Sequence, residues 1–385
     1  RVRASDNTLL VQAGGTVSRA GAAAVSGTVN TGVIAKTTKA VIGDADVRAN
    51  QVEVSAKAKE AVFTVTANAS VAGAAGVGGA VSVNTVSNTT MASIAAGADI
   101  DASGNLTVKA VQDTALDLFT MSGAGGIAGV SGAVAVAVVD NTTHATIDGS
   151  ERAANGAKVN ADGTIEVSAD AKEDINTVTV SAAGGGVGVA GALAVKVLKS
   201  ETTAGIGKNA QINQAANGVI GQNVKVTASD DIALTGGSGS GAAGGFAGVG
   251  ATADINIVRN TTAASVGDAA QVEASNDIVV EALAQKNVQA AATAAAGGGS
   301  AGIAGAVAVV SLGAKRDSES QSNLGGGKSA SYADEKIKQD QVSGQLGNSE
   351  HVQMAKRTTA AQSASQSVAS DMNSTSTSSL DTTPA

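Results

Sequence analysis

An internal repeat of 52 to 60 residues constrains this chain more than any other feature of its sequence. Its first element reads Thr-x-Ala-x-Ile or Val, and the five copies end at Ile42, Ile94, Ile147, Ile206 and Val266. Such repeats stack as copies of one unit, because a single unit cannot bury its apolar face alone. The five units extend over roughly residues 15–312.

Two further elements recur in each unit. An aliphatic-x-Val-x-Ala strand pattern begins at Val52, Leu106, Ile165, Val224 and Ile278. Its odd positions stay aliphatic while the intervening positions vary, which predicts a strand with one buried face. A Gly/Ala block running into alternating valines recurs in 125–139, 184–198 and 297–312. It favours close backbone approach in a slim core, with a silk-like or membrane-active segment as the alternative.

The composition suits a stacked β-structure. Hydrophobic residues make up 43% of the chain but aromatic residues only 1%, and the single proline is Pro384. The core must therefore be filled by small aliphatic side chains, and the rarity of proline suits continuous β-ladders. We predict an all-β parallel β-helix or β-solenoid over 1–314, followed by a polar, largely disordered tail over 315–385. The unit exceeds one turn of an ordinary β-helix, so we expect two or three coils per unit and a rod of order 70 Å.

Charge and hydropathy exclude several classes of partner. The net charge is −8 and the pI is near 4.9, which argues against nucleic acid or anionic membrane as the main partner. The longest apolar run, Ala182–Leu198, contains three consecutive glycines and Lys196, and its valine content suits strands. We therefore predict no transmembrane segment.

Catalytic residue patterns are sparse. The chain has no cysteine and two histidines, His144 and His351, and His144 falls in the outward register of its strand. Asp230 and Asp231 form the only adjacent aspartate pair, and tryptophan is absent. We predict no catalytic residues, no bound cofactor and no enzyme activity, with a β-helical glycan-active enzyme as a remote alternative.

Calcium is the one metal that the sequence allows us to consider. Asp44, Asp46, Asp99, Asp101 and Asp268 follow the first element, where stacked loops could align them as oxygen ligands. The Gly-Gly-x-Gly-x-Asp nonapeptide of calcium-binding β-rolls is absent. Solvated turn carboxylates are the alternative interpretation.

The tripeptide Asn-Thr-Thr recurs at Asn88, Asn141 and Asn260, at the same place in three units. One interpretation is turn chemistry at a strand corner. The other is glycosylation of an exposed corner.

The succession of Gly/Ala block, alternating valines, Asn-Thr-Thr-x-Ala-x-Ile and Val-x-Val-x-Ala resembles the repeat region of large filamentous haemagglutinin-like and leukotoxin-type adhesins. The resemblance covers about 300 residues. It implies a right-handed β-helix, export of a parent protein through an outer-membrane partner, and location outside the bacterial cell or on its surface. It also implies attachment or aggregation through receptors or glycans of host or neighbouring cells. A leukotoxin-like toxin passenger is the alternative.

Overall fold

The computed structural model describes residues 1–152, 155–214 and 221–313, which form strands and turns without a helix. The strands are β1 (Val2–Ala20), β2 (Ala23–Ile42), β3 (Asp46–Ala49), β4 (Val52–Ala72), β5 (Ala75–Ile94), β6 (Asp99–Ala102), β7 (Leu106–Ile147), β8 (Lys158–Ala161), β9 (Ile165–Ile206), β10 (Gln211–Ile212), β11 (Val224–Val266), β12 (Gln271–Val272), β13 (Ile278–Gly298) and β14 (Ala301–Leu312). The predicted all-β class is confirmed for these ranges. The tail predicted over 315–385 lies outside the described residues.

Every strand pairs in parallel with the equivalent strand of the next repeat. Val2 pairs with Val54 and Ala247 with Val187, so that partners lie 52 to 60 residues apart. A register equal to the sequence repeat means that each unit makes one coil, and the prediction of two or three coils is wrong. The coil is long because its strands are long: β5 alone has 20 residues. Six strand levels at about 4.8 Å spacing extend roughly 25 Å along the stack instead of 70 Å.

Each coil is a pair of long arms that fold back on each other, followed by a short strand. The first arms are β1, β4, 106–125 of β7, 165–184 of β9, 224–244 of β11, and β13; the second arms are β2, β5, 128–147, 187–206, 247–266, and β14. Side chains of the two arms meet across the interior, where Asn84 donates to Thr64 (3.1 Å) and Ser131 to Ser122 (3.0 Å). The short strands stack separately in the order β12-β10-β8-β6-β3.

The predicted inward face of the first arm is confirmed. The odd positions of the aliphatic-x-Val-x-Ala element are buried in the second to fifth coils, and they pack with residues such as Ile100 of the short strand in one apolar cluster. Ile278 and Val280 hold the same positions in β13 but are about half exposed, since they belong to the last described coil.

The alternating valines of the second arm point outward, which the sequence did not reveal. Along 130–139 the alanines at 133, 135 and 137 are buried, whereas Val134 and Val136 face outward and are only partly covered. Alternation at period two allows either register, because alanine and valine are both apolar. The opposing arm decides which set lies inside, and the equivalent inward positions of other coils hold polar side chains such as Asn84, Lys196 and Asp254.

Backbone approach at the fold between the arms explains the recurring glycines there, as predicted. A Cβ on Gly129 would lie 2.6 Å from the carbonyl oxygen of Gly184, and one on Gly248 would lie 2.3 Å from that of Gly297. Each of these glycines begins a second arm that touches the first arm of the next coil. Larger residues would force the coils apart.

We predict that Val167→Asp lowers the free energy of unfolding by more than about 3 kcal/mol, because it buries an unpaired carboxylate in the apolar cluster. Its outward neighbour provides the control, and Glu166→Gln stays within about 0.5 kcal/mol. Urea unfolding measures both. Equal losses in the two variants would contradict the strand register.

Candidate functional site

The interior between the arms alternates apolar and polar layers. One apolar cluster lies beside the short strands, and a second, which contains Leu116, Ile175 and Leu198, lies midway along the arms. Polar columns that run from coil to coil separate these clusters. These columns hold the buried charged side chains of the described residues, so they are the first candidate site: Glu60, Glu173, Lys196, Asp230 and Asp254.

The Asn-Thr-Thr motif builds one of these columns. Asn88, Asn141 and Asn260 are 2%, 1% and 8% exposed and lie within β5, β7 and β11. The structure therefore places these asparagines within strands, facing the interior, and not at a strand corner. The asparagine amides donate inward, for example from Asn141 to Thr114 and Glu173 (both 3.1 Å) and from Asn260 to Asp230 (3.2 Å). A glycan on these nitrogens has no room in the folded chain.

Glu173 of β9 and Asp230 of β11 form a buried acidic pair in adjacent coils. Asn141 and Ser200 donate to Glu173 Oε1, while Asn260 and Thr262 donate to Asp230 Oδ2. Glu173 Oε2 and Asp230 Oδ1 have no donor among the described residues. Both residues are sealed from solvent, so the pair cannot contact a substrate in this folded state.

Burial raises the pKa of Glu173 well above its usual range, and the neighbouring Asp230 carboxylate raises it further by repulsion and by accepting a hydrogen bond from protonated Glu173. Protonated Glu173 therefore donates a hydrogen bond to Asp230. The Glu173–Asp230 pair therefore binds a proton between two adjacent coils.

This proton makes folding stability depend on pH. The folded chain binds a proton at Glu173 that the unfolded chain releases above its ordinary pKa, so the contribution of Glu173 to stability is greatest at acidic pH and is lost as pH rises through the raised pKa. The slope is at most about 1.4 kcal/mol per pH unit.

We predict that Glu173→Gln removes this slope, because the glutamine amide donates to Asp230 as the protonated acid does. The variant is expected to be more stable than the parent chain at pH 8 and similar at pH 4. Urea unfolding between these pH values tests this, with Glu166→Gln as the exposed control. An unchanged slope in Glu173→Gln would refute the shared proton.

Lys196 of β9 and Asp254 of β11 form a buried ion pair nearer the fold of the arms. Both side chains are fully buried, with Nζ 3.0 Å from Oδ1, and Lys196 also donates to Thr177 (2.7 Å). Burial lowers the pKa of Lys196, and Asp254 partly offsets this. Gly236 makes the room, since a Cβ there would lie 1.9 Å from the lysine Nζ. In the sequence Lys196 stands out only as a charged residue within the apolar run Ala182–Leu198, and no pattern predicts its partner.

Breaking this pair leaves one charge buried and alone, which costs about 3–5 kcal/mol. We predict that loss for Lys196→Met and again for Asp254→Ala in urea unfolding. The double variant Lys196→Met/Asp254→Ala recovers most of it, because it leaves no charge and Ala194 and Ala308 flank position 254 in the ladder. Additive losses in the double variant would show that the two residues do not interact.

The aspartates considered for calcium lie on the short-strand side and do not converge. Asp46 and Asp99 are ladder neighbours, but Lys158 follows them in the next coil. Asp101 accepts from Arg48 (3.4 Å) and Asn160 (3.0 Å). Asp44 and Asp268 lie in turns at opposite ends of the stack. The described residues hold no group of three or more His, Cys, Asp or Glu side chains suited to a metal ion.

The remaining catalytic candidates are also separated. His144 lies on the outward face of β7 and pairs with Thr203 of the next coil. His351 lies outside the described residues. Asp230 points inward while Asp231 is exposed, so the adjacent aspartates share no site.

The short-strand face carries the variable loops and one open depression. The segments that join the short strand to the arms differ in length between coils: 148–157 precedes β8 in one coil, and 213–223 follows β10 in the next. A depression of about 510 Å³ lies beside β3, β6 and β8, and it is lined by Arg48, Ala49, Asp101, Ala102, Ser103, Asn160 and Asp162. Its openness and mixed charges suit weak contact with a polar ligand, not enclosure of one.

Comparison with protein-family models, curated proteins and solved structures finds no match to this chain. Over 1–152, 155–214 and 221–313 no helix is long and apolar enough to cross a membrane. The architecture itself defines the class: an all-β, solenoid-like stack of long parallel strands.

Proposed function

We propose that this chain is a structural and adhesive stalk segment of a bacterial surface or secreted adhesin. The observation that carries the proposal is the one-coil-per-repeat register, which holds the inward columns fixed and leaves the short-strand face free to vary. Such a stack gives each coil its own polar surface on a common scaffold. The resemblance to filamentous haemagglutinin-like and leukotoxin-type repeats supports the same role.

A right-handed coil and five repeat units complete the proposed architecture. Parallel strands joined by a crossover within one sheet are right-handed in roughly 98% of cases, because strand twist favours that hand. The proposed parent protein leaves the cell through an outer-membrane partner.

The proposed contacts lie along the short-strand face. Arg48 and Asp101 belong to adjacent coils there, and Asn160 and Asp162 to the coil that follows. Receptors or glycans would meet several such coils at once, and weak contacts would add through multivalency. Attachment would then depend on the sum of the coils instead of one enclosed site.

We predict that Arg48→Ala or Asp162→Ala alone weakens attachment of the full chain to cells or matrix less than about threefold. The combined variant weakens it more than about tenfold, since avidity multiplies modest contacts. Surface plasmon resonance or a cell-attachment assay measures both effects.

The control is Lys59→Ala, which breaks the exposed pair of Lys59 with Asp113 on the first arm. Its N–O distance of 3.4 Å equals that of the Arg48–Asp101 pair, so both changes remove a comparable ion pair. Loss of all attachment from a single substitution would show that binding depends on one site and is not distributed. An equal effect of Lys59→Ala would show that the contacts do not lie on the short-strand face.

A further inference from the structure

The outward surface of the second arms is free of charge across all six strand levels. We name it the outer valine face and define it by the outward residues of 25–33, 77–85, 130–138, 189–197, 249–257 and 303–311. Each range contributes five outward residues, which are Val, Ile, Leu, Ala or Gly apart from Thr31, Thr85 and Ser311. The outward surface of the first arms near the fold is also largely apolar, with Val71, Met121 and Val180 exposed, but it interposes Arg19 and Thr293.

The face is large and open to solvent. In the inner coils Val77, Val130 and Val189 are 40%, 43% and 36% exposed, whereas Val195 is 7% exposed. Nine residues along the strand and six levels across span about 30 Å by 25 Å, on the order of 750 Å². The largest apolar patch on an ordinary monomer is about 300–600 Å² and is often an interaction site.

A groove of small residues runs across this face from coil to coil. Its ladder neighbours are Gly27, Gly79, Gly132, Gly191, Ala251 and Gly305. A Cβ on Gly79, Gly132 or Gly305 would meet nothing within 4 Å, so the fold does not require glycine there. Glycine weakens a strand, and its recurrence at an open position marks close approach of another surface.

We propose that the outer valine face is the dimer interface of this chain, with a second copy as the occupant. Two such faces are self-complementary: the valine columns on either side of the groove form ridges, and a ridge of one copy fits the groove of the other. Packed sheets lie about 10 Å apart, a distance that short ridges and a glycine groove allow. Two copies bury on the order of 1,500 Å² in total, within the standard range for a stable complex.

The border of the face agrees with this occupant. The next outward column contains Asp140, Lys199 and Arg259, and Asp140 pairs with Lys199 at 2.9 Å. An apolar centre with a polar rim of both signs is the usual composition of a protein interface. A lipid surface would instead favour a rim rich in lysine and arginine.

Gly132→Val tests the groove without threatening the fold. Its Cβ meets nothing in the monomer, and valine favours strands, so the stability of the single chain is expected to hold or rise. In the dimer the new side chain fills the groove and displaces the ridge. Gly239→Val is the matched control, because its Cβ also meets nothing within 4 Å and it lies on the first arm of β11.

Sedimentation equilibrium of the full chain at about 10 µM is expected to give twice the chain mass of 36.8 kDa. Gly132→Val should weaken association at least about tenfold, and Gly239→Val should leave it unchanged. Circular dichroism establishes that both variants are folded.

Three outcomes would overturn the inference. The first is a wild-type chain that is monomeric at that concentration. The second is association that Gly132→Val does not weaken, which is expected if copies associate through the ends of the stack. Alternatively, phosphatidylcholine vesicles could bind a monomeric chain through this face, which would make lipid the occupant. The inference does not depend on the adhesive role, since chain mass is measured without any host cell.

Discussion

In-register parallel pairing of each residue with its equivalent one repeat later is the interaction on which the rest of this structure depends. This pairing places equivalent residues of successive repeats next to each other, so that each position of the repeat forms a column through the stack. Backbone donors and acceptors are used along the ladder, which leaves no place for proline within it. The side that a column faces then determines which residues it can hold. Residues of an inward column must fill the space between the arms, whereas residues of an outward column can differ from coil to coil.

This stacking of equivalent residues disfavours charge in an inward column, because identical charges would lie about 4.8 Å apart. The chain avoids this repulsion by separating the buried acids within a column. Glu60 and Glu173 share a column, but Thr114 lies between them. Each is then neutralised differently, Glu60 by Lys36 (2.7 Å) and Glu173 by a proton held beside Asp230. The Lys196–Asp254 pair solves the same problem between the second arms of adjacent coils, where the two residues belong to neighbouring columns.

The outward faces of both arms change from polar beside the short strands to apolar beside the fold. On the first arm Lys59, Asp113, Lys172 and Asp231 form one column of alternating charge, a pattern that ladder neighbours favour. On the second arm the outward columns near the fold are aliphatic or glycine. One scaffold therefore offers a charged surface that stays soluble, an apolar surface suited to a second copy, and a loop-bearing short-strand face suited to varied ligands.

The sequence by itself determined the all-β class, the repeat boundaries, the inward face of the first arm and the close approach of the backbone at the recurring glycines. Period-two alternation and internal repetition carry that information directly. Tertiary structure alone decided that one repeat is one coil, since a period does not say how often the chain turns within it. It also decided that Val134 faces outward and that Asn141 faces inward. Alternation defines two faces of a strand, and only the opposing arm, with its space and its buried carboxylates, selects which one is inside.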